Sequence, residues 1–308
     1  AAAAAAGPIA PVTPSTPLTR VPMLMTHDAG SGYLGKGLVN RWAQTQSGGL
    51  GAQLACGARA FDARPTVSPN GTVVWHHGSV DVDYSFARSL GDMVAWLAKN
   101  PQELVLLLVW DCEGTDCLDH VAAEAKAAGA TVVSDCATVK GLTYGGAKKL
   151  GRLAGGGAML VITGSGGANG AACATTHYDS TLECTSLRGA EPDAEAPLFT
   201  GCWVSDKGHQ AQITKMLKQL DGFIGSGLSN TSFWQAQALW QEGTDTVVIG
   251  TARNSSLLKD EAESQLNLIL AQQVRAKRWP SLGLLEVNNI CDHGPQLLQA
   301  LKDTYYAP

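Results

Sequence analysis

A chain of 308 residues with 45% hydrophobic composition can bury a large core, and α/β barrels of this size fold undivided. A net charge of −5 leaves no basic footprint, so nucleic acid is not an expected partner. No apolar run reaches the length of a membrane-spanning helix; the longest, Leu104 to Trp110, suits a buried strand.

The chain begins with a low-complexity Ala1–Ala6 stretch that lacks the basic start of a signal peptide and reads as a mature end or as placeholder alanines. Pro8 to Pro17 reads as extended, so residues 1–19 are expected to form an arm and 20–308 a single barrel. Beyond the arm, apolar runs alternate with amphipathic stretches, the pattern of parallel βα units. Strands are predicted at 21–26, 58–63, 72–76, 103–110, 130–134, 158–163, 198–205, 223–227 and 282–288, one or two of them in hairpins or at edges. A helix is predicted over Ser89–Lys99, where Leu90, Met93, Val94 and Leu97 share a face and Ser89 with Asp92 resembles a capping box. Asn100-Pro101 ends it. Further helices are predicted at Leu118–Ala128, closed by Gly129, and at Gln210–Leu220, Leu257–Lys277 and Pro295–Lys302. The glycine-rich stretches at 155–157 and 164–170 lack the lysine and the strand–helix context of a phosphate loop and read as connections.

Eight cysteines without a CxxC pair make a zinc site improbable. Cys112/Cys117 and Cys173/Cys184 are the expected local bridges, because both pairs sit in polar, loop-like stretches. With three glycosylation sequons, at Asn70, Asn230 and Asn254, the cysteines point to a secreted or cell-surface location.

Three short motifs carry the chemistry. Thr26-His27-Asp28 follows Val21–Met25; Ala58-Arg59-Ala60-Phe61-Asp62-Ala63-Arg64 spans a second strand; His76-His77-Gly78 follows Val73-Val74-Trp75. Each places a proton-handling or cationic group where a strand runs out, the usual location of catalytic groups in a parallel barrel. Two histidines and an arginine suit phosphoryl transfer: one histidine removes a proton, the other supplies one, and the arginine balances the phosphate charge. Adjacent strand residues face opposite ways, so only one of His76 and His77 can face the site, and His76 reads as structural. His120, His177, His209 and His293 have no supporting motif and are expected on the surface or in loops. Asp62 either orients Arg64 or pairs within the barrel.

The order and spacing of these motifs resemble the X domain of phosphatidylinositol-specific phospholipases C, most closely the bacterial and secreted single-domain members. Asn100-Pro101-Gln102-Glu103 and Trp203-Val204-Ser205-Asp206-Lys207 also fit that family. The resemblance is strong over about residues 20–110 and collinear but weaker to about 300. It implies an α/β fold, an irregular TIM-type (β/α)8 barrel. It also implies catalytic roles for His27, Asp28, Arg64 and His77: His27 as general base, His77 as general acid on the leaving oxygen with Asp28 hydrogen-bonded to it, and Arg64 on the phosphorane charge. Arg64 stands where calcium-dependent relatives place a metal, so no metal and no other cofactor is expected, and no carboxylate cluster is expected beside His27. The implied partners are a phospholipid or glycolipid headgroup and, transiently, a membrane surface, with Asp206 as a substrate-binding residue.

The pattern departs from the family in two places. Bacterial relatives orient the base with an aspartate on the last strand, where this chain has Asn288; Glu286, on the same strand face, is a second candidate for that work. The headgroup-binding lysine near Trp110-Asp111 and arginine near Gly164 are not evident, and Gly208 stands where a tyrosine is expected. Two readings follow: a secreted phospholipase C-type phosphodiesterase for an inositol phospholipid or glycosylated relative, or a weak or inactive barrel serving as a structural, glycan- or lipid-binding module of an extracellular assembly.

Overall fold

The computed structural model of the chain describes residues 11–163, 176–178, 206–225, 233–240, 244–252 and 254–306. In chain order the strands and helices are β1 (Met23–Thr26), α1 (Asn40–Ala43), α2 (Leu50–Ala55), β2 (Ala60–Ala63), β3 (Pro65–Val67), β4 (Val73–His77) and β5 (Val80–Val82). Then come α3 (Phe86–Lys99), β6 (Leu104–Val109), α4 (Cys117–Ala127), β7 (Thr131–Val133), α5 (Cys136–Gly141), α6 (Tyr144–Leu150), β8 (Ala158–Ile162) and β9 (Thr176–Tyr178). The last are α7 (Asp206–Gly225), β10 (Trp234–Gln237), α8 (Thr244–Ala252), α9 (Leu257–Ser264), α10 (Leu266–Arg275), β11 (Leu284–Val287) and α11 (Gly294–Tyr305).

Eight strands form one sheet in the order β7-β8-β6-β2-β1-β11-β10-β9, and every pairing in it is parallel. Among the described residues β7 and β9 do not pair, so the barrel is irregular. The strand period of two sorts side chains into two layers. Met23, Met25, Ala60, Leu104, Leu106, Leu108, Leu160 and Leu284 fill the interior. Leu24, Phe61, Val105, Leu107, Val161, Leu285 and Val287 face outward against α3, α10 and α11. Asp62 and Glu286 share the interior parity with Ala60 and Leu284, so the inward faces of β2 and β11 turn polar toward their C-terminal ends.

Several sequence expectations need correction. The strand predicted at 72–76 belongs to a separate antiparallel sheet, β3-β4-β5, not to the barrel. The strand predicted at 223–227 falls on α7, which runs to Gly225. Ile213, Met216, Leu217, Leu220 and Ile224 are buried there at helical spacing, and that period outweighs the local apolar run. Strands β3, β5, β9 and β10 were not predicted. In β10 the inward Gln235 bonds Glu286, which hides the usual apolar signature. Helix α3 starts three residues earlier than expected: its cap is Ser85, whose hydroxyl accepts from the Arg88 N–H, while Ser89 is buried inside the helix. The predicted 257–277 helix breaks at Gln265, which takes a left-handed conformation between α9 and α10. His177 lies on β9 rather than in a loop. The predicted strand at 198–205 and the Cys173/Cys184 bridge lie outside the described residues.

The described part of the arm, residues 11–19, is packed against the barrel. The Val12 N–H donates to the Tyr305 carbonyl, the Tyr144 N–H donates to the Thr16 carbonyl, and Leu18 is buried beneath the N-terminal strand ends. The Cys112–Cys117 disulfide is present, as expected. A second one, Cys56–Cys291, joins the end of α2 to the loop before α11 across 235 residues. Gly294 permits this approach, since a Cβ there would lie 2.5 Å from the Cys56 carbonyl oxygen. Replacing Cys56 and Cys291 together with serine is expected to lower stability by about 2–4 kcal/mol through a freer unfolded chain. A urea melt with an unshifted midpoint would refute this.

Candidate active site

The site forms where β1, β2 and β11 end. His27 continues the inward parity of Met23 and Met25, Arg64 that of Ala60 and Asp62, and Asn288 that of Leu284 and Glu286. His77 arrives by another route: the β3–β4 hairpin folds over the mouth and delivers it from an antiparallel sheet. Asp28 takes a left-handed conformation (φ 43°), which aspartate tolerates better than most residues, and starts a short 3-10 turn. Its N–H donates to Asp62 Oδ2 at 3.0 Å.

The Asp28 carboxylate is the centre of the constellation. Its Oδ2 lies 3.3 Å from His27 Nε2 and 3.1 Å from His77 Nε2, and its Oδ1 lies 2.6 Å from Arg64 Nε. Asp62 holds the same guanidinium, with Oδ2 2.9 Å from its terminal nitrogen, so Asp62 orients Arg64 and pairs within the barrel as well. The two imidazoles stand edge to face, centroids 6.4 Å apart. His77 Nδ1 contacts the Ala43 carbonyl at 2.5 Å, so both its ring nitrogens face oxygen acceptors. His27 Nδ1 meets Asn288 Oδ1 at 2.9 Å, whereas Glu286 lies one layer deeper and accepts from Gln235. His27 and Asp28 form the buried floor; the side chains of His77 and Arg64 are 25% and 24% exposed and face the opening.

Electrostatics follow from this packing. Burial alone would depress His27, but Asp28, Glu286 and Asp62 outweigh it and hold the imidazole above its ordinary value of 6.5. Burial opposes ionisation of Asp28, yet His27, Arg64 and His77 keep its carboxyl below the usual range. Burial pushes Glu286 well above that range.

The expectation that no carboxylates accompany His27 is overturned, since ligating atoms of His27, Asp28 and Asp62 lie within 4.8 Å of one another. Arg64 already contacts both carboxylates, so a guanidinium supplies the balancing charge in this cluster.

His76 is buried, with its two ring nitrogens on the Gly78 and Asp111 carbonyls, and is structural. His120 is exposed on α4 and His293 caps the start of α11, both away from the cluster. Asp206 opens α7; its side chain, and that of His209, lie outside the described residues. Sequence reasoning missed the supporting polar groups. Gln46 donates to the His27 and Val287 carbonyls and accepts from the Ile290 N–H, tying the ends of β1 and β11 together. Glu261, on α9, holds Asn288. Neither carries a motif; only their burial as polar groups marks them. At the opposite end, a cavity of about 200 Å³ is lined by Arg59, Glu103 and Lys302. These charges are already paired with one another, and that end of a barrel usually serves stability.

Solved structures share this architecture. A phosphatidylinositol-specific phospholipase C from Staphylococcus aureus superposes with a TM-score of 0.60 at 15% identity, covering 94% of this chain and 95% of that one. The Listeria monocytogenes enzyme gives 0.53 at 15% identity, covering 94% and 96%. The chain has the fold of the bacterial phosphatidylinositol-specific phospholipases C. In sequence, the chain is 30% identical over 90 residues to a 1-phosphatidylinositol phosphodiesterase of Staphylococcus aureus (strain Newman). The match spans 29% of that relative's length. No protein-family profile matches the chain.

Proposed function

We propose that this chain is a phospholipase C-type phosphodiesterase that cleaves an inositol phospholipid or a glycosylated relative by histidine acid–base catalysis. The observation that carries the reading is the single Asp28 carboxylate within 3.3 Å of Nε2 of both histidines and 2.6 Å from Arg64. His27 removes the proton from a headgroup hydroxyl, and that oxygen attacks phosphorus. Arg64 balances the charge that develops on the phosphoryl oxygens. The bond to the diacylglycerol oxygen breaks as His77 gives that oxygen a proton. One proton leaves through His27 and one enters through His77, so the site returns to its starting state once they re-equilibrate. Asp206 is assigned to headgroup binding on the resemblance alone.

A membrane partner is supported by three exposed apolar side chains. Leu38 (64%) and Val39 (66%) precede α1, and Val248 (65%) lies on α8, which α1 touches through the hydrogen bond from Trp42 Nε1 to Thr251. Ala43, the partner of His77, belongs to the same α1, so this apolar rim adjoins the catalytic mouth. Secretion is supported by the two disulfides, which persist in oxidising compartments.

The test is hydrolysis of a panel of vesicle-borne lipids with and without a chelator. Turnover of inositol lipids that survives chelation is the expected result. Loss of turnover in chelator, restored by calcium, would contradict the role given to Arg64. Vesicle binding without turnover of any lipid would assign the chain to the module reading instead.

A further inference from the structure

Asparagine in place of an aspartate behind the base raises a physical question. An amide can present either its oxygen or its NH2 group to an imidazole, whereas a carboxylate can only accept. The surroundings of Asn288 resolve this. Its Nδ2 lies 2.8 Å from Glu261 Oε1 and 3.1 Å from the Trp240 carbonyl oxygen. Both neighbours are acceptors, so the NH2 group satisfies them with its two hydrogens, and a flipped amide would set oxygen against two oxygens. Glu261 is itself held, since the same Oε1 accepts from the Trp240 N–H at 2.9 Å and the residue is 3% exposed. The Asn288 backbone is pinned by Asn267 Nδ2, which donates to its carbonyl at 3.0 Å.

We propose that Glu261 is a positioning residue for the base: by clamping the Asn288 amide, it fixes the His27 hydrogen on Nδ1 and leaves Nε2 as the proton-accepting nitrogen at the barrel mouth. With the amide fixed, Oδ1 faces His27 Nδ1 at 2.9 Å and demands an N–H there. Of the two oxygens facing the ring, Asn288 Oδ1 is the nearer at 2.9 Å, whereas Asp28 Oδ2 stands 3.3 Å from Nε2 and closer, at 3.1 Å, to His77 Nε2; a neutral imidazole therefore spends its one hydrogen on Nδ1 and leaves Nε2 bare. The clamp does not depend on charge. Burial raises the Glu261 carboxyl to about 8, against the opposing Trp240 and Asn288 hydrogen bonds, and a carboxyl oxygen accepts whether or not its companion carries a proton. The negative charge that a relative's aspartate would supply comes here from Asp28, Glu286 and Asp62, which favour the imidazolium from other directions.

The role in turnover rests on the phosphodiesterase reading; the tautomer does not, and the experiment separates them. The full chain, labelled with 15N-histidine, is examined by NMR at a pH above the titration of His27, alongside lipid hydrolysis. Glu261→Gln keeps an acceptor oxygen and is expected to retain the Nδ1–H tautomer and turnover within about twofold of the parent. Glu261→Leu and Glu261→Met, made in parallel so that a folded variant is in hand, remove the acceptor. The amide can then turn, the Nε2–H tautomer grows in, and kcat falls by roughly 10-fold or more while KM holds, as expected when a base is mis-set. Asn288→Asp in the Glu261→Leu background is expected to restore the Nδ1–H tautomer, because a carboxylate has no donor face to turn. A folded Glu261→Leu or Glu261→Met protein that keeps the Nδ1–H tautomer overturns the proposal, as does a Glu261→Gln protein that loses it. If no lipid is cleaved by any form, the phosphodiesterase reading fails while the tautomer data still decide the clamp.

Discussion

His27→Ala is expected to lower lipid turnover by about 10²–10⁴-fold, the usual contribution of a positioned base. The imidazole is the group whose Nε2 stands at the mouth, and no other described side chain faces the Asp28 carboxylate from the β1 end. The fold should persist. The His27 backbone is held by its N–H to the Val287 carbonyl and by Thr45 and Gln46 on its own carbonyl, none of which needs the side chain. The cost to stability is one unpaired acceptor, Asn288 Oδ1, worth about 1–3 kcal/mol. The pH profile gives a second readout. A base works only when neutral, and Asp28, Glu286 and Asp62 hold His27 above 6.5, so kcat/KM should climb with pH through a value above that of an ordinary histidine. Turnover left intact in His27→Ala would remove the acid–base mechanism altogether.

Arg64→Ala is the second large effect, with turnover expected to fall by about 10²–10³-fold as the charge on the phosphoryl oxygens loses its partner. Stability should fall too. Asp28 and Asp62, both buried, would lose their shared cation; breaking such a pair from one side costs about 3–5 kcal/mol when fully buried, and less here because Arg64 is 24% exposed. Arg64→Lys separates the two contributions. It retains a charge for the carboxylates, and so most of the stability, but it lacks the planar fork that engages two oxygens at once. Stability close to the parent with turnover still well reduced is the expected pattern. A kinetic assay showing full activity in Arg64→Lys would mean that a point charge suffices and that the bidentate geometry has no catalytic role.

What could be read from residues alone was whatever repeats along the chain or sits at a strand end. The interior leucines of β6 and β8 and the face of α3 announce the parallel barrel through periods of two and 3.6. His27, Arg64 and His77 each follow an apolar run that marks a strand terminus. Asn288 and Glu286 were both candidates for orienting the base, because side-chain parity puts them on one face and cannot choose between them. The choice depends on depth. Asn288 clears the end of β11 and reaches His27, while Glu286 stays one layer down on Gln235.

The remaining features are decided by contacts between distant segments. Cys56 meets Cys291, Gln46 joins Val287, and Glu261 grips Asn288, each pair brought together only once the barrel has formed. A buried polar side chain has no local period and no neighbouring motif, because its partner is set by the fold and not by spacing along the chain. His77 shows both sides. Its place at a strand end was legible, but a hairpin outside the barrel brings it over Asp28. The sequence by itself determined the barrel and the chemical types at its mouth; tertiary packing decided which oxygen faces which nitrogen, since a hydrogen bond depends on ångström-scale placement that only the assembled structure supplies.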